Sequence, residues 1–149
     1  MPESSLPPSL AAIREDFLAL SVPDRLQLLL EFSDTLPVVP EELIDPDAWE
    51  RVEECQSPVF ITVVTNPEEV TVHATAPEEA PTTRGFASIL VQGLHGMSPD
   101  QVLAVPPDFP LQLGLQNAVS MLRLRGMSGM LWRIKRQVEE GLALQGAGE

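Results

Sequence analysis

Val59-Phe60-Ile61-Thr62-Val63-Val64-Thr65, Asn66-Pro67-Glu68-Glu69, Val70-Thr71-Val72-His73-Ala74-Thr75: the fold class turns on the reading of this stretch. The first and third runs are dense in β-branched residues. The four residues between them carry Asn and Pro, which favour a reversal of the chain, so the stretch predicts a β-hairpin. Along the third run Val70, Val72 and Ala74 share one face, while Thr71, His73 and Thr75 share the other. One side of the hairpin is therefore made for a core and the other for water.

Helical periodicity brackets the hairpin on both sides. Leu10, Ile13, Phe17 and Leu20 follow Pro7-Pro8 at helical spacing. Pro23 suits the first turn of a second helix, with Ser21 as its cap and Pro37 and Pro40 as its end. Two short helices joined by a tight turn predict an antiparallel pair. The acidic stretch 41–54 reads as a helical turn and then an irregular approach to Cys55. After the hairpin a helix is predicted over 82–94, and Ser98-Pro99-Asp100-Gln101 has the pattern of a capping box. A last helix is predicted over 119–138, with Leu124, Met127, Leu131, Ile134 and Val138 facing the core. Arg133, Lys135 and Arg136 would suit its negative C-terminal end. The order helices, hairpin, helices predicts an α+β fold with helices packed on a small, largely antiparallel sheet. One domain over residues 1–140 is expected, with 141–149 as a disordered tail.

The chain has 149 residues, 44% of them hydrophobic and 21% charged, enough for one core without a disulfide or metal staple. Net charge is −13, and residues 1–80 hold 17 of the 22 acids against three bases. Such a surface repels nucleic acid, which requires clustered Lys and Arg. Partners with basic docking patches are favoured instead, mainly through association rate. The first residues lack the basic start and apolar stretch of a signal peptide, and no run of 18 apolar residues marks a membrane span. A cytoplasmic protein is the expectation.

Few catalytic constellations are possible. His73 and His95 form no HExxH, no GxSxG elbow exists, and no glycine-rich phosphate loop is present. Asp45-Pro46-Asp47 resembles the start of a calcium loop without its glycine or closing glutamate. The single cysteine excludes an internal disulfide and any metal or cluster site made of several thiolates. Cys55 stands at the junction between the acidic segment and the first strand, where a reactive group can meet a partner. A lone cysteine also serves as a small buried hydrophobe. Glu53 and Glu54 disfavour a thiolate, and no base adjoins it in sequence. A cysteine that only receives sulfur tolerates this, because the donor supplies the electrophile.

Cys55-Gln56-Ser57, followed by Pro58-Val59-Phe60, resembles the Cys-Gln-Ser signature that opens a strand in the SufE family of cysteine desulfuration proteins. Ser120-Met121-Leu122-Arg123-Leu124-Arg125-Gly126-Met127 resembles a second segment of that family, which has an arginine three residues before a glycine. Leu28 through Pro37, Arg84-Gly85-Phe86 and Met97-Ser98-Pro99 follow the family order, so the resemblance spans residues 6–138. Pro58, the leucines beside Arg123, and Glu53-Glu54 depart from the family pattern.

The resemblance implies a single domain of the SufE/IscU-like fold and a sulfur carrier. Cys55 would accept persulfide sulfur from a SufS-type, pyridoxal-phosphate-dependent cysteine desulfurase, stimulate that enzyme, and pass sulfur to the SufBCD scaffold for iron–sulfur cluster assembly. Arg123 would support the site, and Gln56 and Ser57 would hold the loop. Read without the resemblance, Arg123 is an exposed helix residue and Gln56 and Ser57 are turn residues. The chain itself would need no cofactor or metal and would act as a monomer or weak homodimer. The alternative is a non-covalent, acidic regulatory partner of a desulfurase.

Overall fold

The computed structural model describes residues 6–40 and 49–147. Along the chain come α1 (Pro8–Leu18), α2 (Val22–Asp34), β1 (Glu50–Arg51), β2 (Phe60–Thr65), β3 (Val70–Thr75), α3 (Pro81–Leu94), α4 (Pro99–Leu103), a 3-10 helix (Phe109–Leu113) and α5 (Met121–Ala147). The hairpin forms as expected: Thr65 faces Val70 across Asn66–Glu69, and the register runs back to Phe60 opposite Thr75. A third strand, β1, adds antiparallel to β2 with Glu50 opposite Ile61 and Arg51 opposite Phe60. Its two polar residues carry no strand pattern of their own, which is why the sequence suggested an irregular segment there. The expected turn near Glu41 and the Asp45-Pro46-Asp47 run lie outside the described residues.

Ile61 on β2 and Val70, Val72 and Ala74 on β3 are buried. Against the sheet lie α5, along β2, and α3, along β3, while α1 and α2 pack on α3. Phe86, Ile89, Leu90 and Leu94 of α3 meet Leu124, Met127, Leu131, Ile134 and Val138 of α5 in one hydrophobic core. This is the α+β arrangement the sequence implied.

Local chemistry sets the helix ends. Ser98 accepts the Gln101 N–H while Gln101 reaches back to the Ser98 N–H, completing the capping box. Ser21 occupies the cap position of α2, but its hydroxyl makes no capping bond. At the start of α5 the Ser120 hydroxyl accepts the Arg123 N–H at 3.3 Å. That helix continues beyond residue 140 to Ala147, with Leu142 packed against the core. Arg133, Lys135 and Arg136 consequently sit well inside α5, and none serves its last turn.

Candidate functional site

Cys55 lies in the connection between β1 and β2. The Val52 N–H donates to Val59 O at 2.9 Å, extending the strand pairing, and the Cys55 N–H donates to Val52 O at 3.1 Å. Residues 53–58 thus form a short loop projecting from a hairpin whose root, Val52 and Val59, is fully buried. Such a loop can present a side chain to a partner while the sheet fixes its base.

The loop rests on a notch in α5. Gly126 and Gly129 lie three residues apart, on one face of the helix. A Cβ at Gly126 would stand 2.9 Å from Cys55 Sγ, and one at Gly129 would stand 2.6 Å from the Glu54 carboxylate. A side chain at either position would force the thiol or the carboxylate to move. A network of charged groups holds the loop in place. Arg133 pairs with Glu54 and, at 3.2 Å, with Glu50, while Arg136 pairs with Glu50 and Glu140. The Gln137 amide adds a donor to Glu50 at 3.1 Å and accepts the Val63 N–H at 2.9 Å. The arginines expected at a helix end instead fasten β1 and the cysteine loop to the middle of α5.

Beside the thiol opens a cavity of about 340 Å³. Cys55, Gln56, Ser57 and Arg123 all line it, so the four residues singled out in the sequence come together in space. Glu79, just before α3, and Thr83, in its first turn, also line it. Sequence reading gave neither a role: Glu79 is one acid among the many of residues 1–80, and Thr83 is an ordinary hydroxyl residue early in a helix.

Cys55 is 8% exposed. Burial raises its pKa from 9.0 to about 11, and the Glu54 carboxylate adds to the rise. Arg133 and Arg51 pull it back down. At neutral pH the thiol is protonated and protected, with room beside it for added atoms. Among the described residues no group of three or more His, Cys, Asp or Glu is placed to hold a metal ion, and no helix is long and apolar enough to cross a membrane. Burial lowers the pKa of His73, and the charge of nearby His95 lowers it further.

The site is thus a buried single thiol, set against a glycine notch in α5 and facing a cavity shared with an arginine. The family model for SufE, described as an Fe-S metabolism associated domain, matches residues 11–138. The chain belongs to the SufE family. A SufE-like protein of Mycobacterium tuberculosis is 51% identical over 138 residues, covering 92% of this chain and 96% of that one. The cysteine desulfuration protein SufE of Plasmodium vivax is 30% identical over 101 residues, 66% of this chain and 39% of that longer one. A solution structure of a hypothetical protein from Thermus thermophilus superposes with a TM-score of 0.82 at 38% identity, over 93% of this chain and 98% of that one. SufE membership places the chain in iron–sulfur metabolism, in a family whose role is to accept sulfur from a cysteine desulfurase.

Proposed function

We propose that this SufE-family chain accepts sulfane sulfur on Cys55 from a SufS-type cysteine desulfurase, stimulates that enzyme, and delivers the sulfur to a SufBCD-type scaffold. The observation that carries the reading is the placement of the only cysteine, on a projecting loop and beside a cavity large enough for an added sulfur. In the transfer, the Cys55 thiolate attacks the outer sulfur of the desulfurase persulfide. The Sγ–S bond forms as the donor S–S bond breaks, and the donor cysteine leaves as a thiolate that takes up the proton lost from Cys55. No net oxidation occurs.

The persulfide would occupy the cavity between the loop and α5, with the Arg123 guanidinium favouring its anion. Gln56 and Ser57 hold the loop that carries it. The chain brings no cofactor of its own, since the desulfurase's pyridoxal phosphate does the carbon–sulfur chemistry. A thiol that must stay reduced suits the cytoplasm.

Intact mass after incubation with a SufS-type desulfurase and cysteine tests the reading. The expected result is a gain of one sulfur, about 32 Da, that reductant removes. The gain should be absent in Cys55→Ser. The raised thiol pKa is the one observation favouring a purely regulatory partner. Desulfurase stimulation that survives in Cys55→Ser, with no mass gain in the native chain, would establish that alternative.

A further inference from the structure

Nine lysines and arginines serve this acidic chain. Six are committed to internal contacts. Arg14 pairs with Glu15 and Gln112, Arg25 donates to the Phe17 and Gly114 carbonyls, and Arg84 donates to those of Ser33 and Ala76. Lys135 donates to Val105 O, and Arg133 and Arg136 clamp β1 and the cysteine loop. The other three, Arg51, Arg123 and Arg125, are exposed and have no side-chain hydrogen bond or ion pair among the described residues. Two act at the thiol, and the third lies along the same helix as Arg123, beside a neighbouring cavity. Arg123 lines the thiol's cavity. Arg51, at the root of the loop, acts on the thiol electrostatically. Arg125 lines a second cavity of about 390 Å³ that shares Glu54 with the first.

The same side of α5 is apolar where a surface ordinarily is not. Met121 and Leu122 are 53% and 51% exposed beside the mouth, and Trp132 is 59% exposed. Met121, Arg125, Ser128 and Trp132 recur at helical spacing and form one stripe. The Trp132 ring lies 5.6 Å and 5.4 Å from the guanidinium carbons of Arg133 and Arg136. These two arginines also grip the cysteine loop, so the tryptophan is held by the elements that hold the site. Uncommitted arginine together with exposed tryptophan and methionine is the composition of a protein-binding patch. Glu79, across the mouth on the α3 side, gives the opening a negative rim opposite this positive one.

We propose that the α5 stripe from Met121 through Arg125 to Trp132 is the docking face for the sulfur-donating cysteine desulfurase, and that it meets an acidic patch with an apolar socket on that enzyme. This rests on the sulfur-acceptor reading and goes beyond it by naming the face and the charge of its complement. Net charge points the other way, toward a basic partner, but the contact is decided by the charges left unpaired at the mouth. Opposite charges aligned across an interface speed association and fix its register.

The test measures the dissociation constant for the SufS-type desulfurase of the same organism with the native chain, Arg125→Glu, Arg125→Gln and Glu68→Arg. Glu68 lies on the β2–β3 turn, outside the stripe. A polysulfide donor provides a desulfurase-free measure of Cys55 loading. Arg125→Glu is expected to weaken binding at least about tenfold and Arg125→Gln less, while both load from polysulfide at the native rate; Glu68→Arg should bind as the native chain. Raising NaCl should weaken native binding more than Arg125→Glu binding. Native-like affinity in both Arg125 variants, or equal loss in Glu68→Arg, would overturn the docking face while leaving the acceptor reading intact. A native chain that neither binds nor gains sulfur would instead end the acceptor reading.

Discussion

A thiol with its pKa raised to about 11 is a slow nucleophile at neutral pH. Alkylation of Cys55 should therefore accelerate about tenfold per pH unit well above neutrality, with a midpoint near 11. The same shift couples to stability. The folded state holds this proton more tightly than the unfolded chain, whose thiol has the ordinary value of 9.0. The contribution is fully present below pH 9 and fades as pH rises to about 11, by roughly 1.4 kcal/mol for each unit separating the two values. Urea unfolding across that window should show a fall that Cys55→Ser lacks. Gly126 governs the position of the sulfur. An alanine there would press its methyl to 2.9 Å from Sγ, inside the separation of about 3.5–4.0 Å at which such atoms rest. Gly126→Ala should lose about 1–3 kcal/mol of stability and displace the thiol outward, measured as a lower urea midpoint and faster alkylation at fixed pH.

At the scale of elements, the site is a hairpin loop pinned to a helix by Arg133 and Arg136. Removing Arg133 strands Glu54, while Arg136 still holds Glu50. Glu50 and Glu54 keep water, at 30% and 42% exposure, so the cost falls below the ~3–5 kcal/mol of a fully buried pair. Arg133→Met should lose about 2 kcal/mol. Amide exchange should quicken at Val52 and Cys55, whose bonds to Val59 O and Val52 O close the loop. The elements themselves were legible wherever a period repeats: β2 and β3, α3, and the core stripe of α5 all follow from spacing. What escaped depends on contacts between distant segments. Glu50 and Arg51 become a strand only because β2 lies beside them. Arg133 reads as a helix-end charge until Glu50 and Glu54 arrive from 79 or more residues away. Cys55 stood out by its position before the first strand, and Arg123 through a family pattern; their shared cavity belongs to the fold alone.

Over the whole molecule two charge distributions act at different ranges. Twenty-two acids against nine Lys and Arg leave −13 on a small surface, and the acids crowd into residues 1–80. Like charges at this density repel in the folded state more than in the expanded chain, which costs stability. Exposed charges of this kind are screened beyond about 10 Å at 0.1 M salt and about 3 Å at 1 M. The Arg133 clamp, with its guanidinium buried, is screened far less. Salt should thus relieve the repulsion while leaving the internal pairs that build the site. Melting temperature is expected to rise by several degrees between 20 mM and 0.5 M NaCl, about what 1 kcal/mol shifts in a domain of this size. A melting temperature that falls with salt would mean that screened ion pairs, rather than the apolar core between α3, α5 and the sheet, carry the fold. Cys55 alkylation at neutral pH should barely change across the same series, because burial is the largest cause of the thiol's raised pKa and salt does not alter burial.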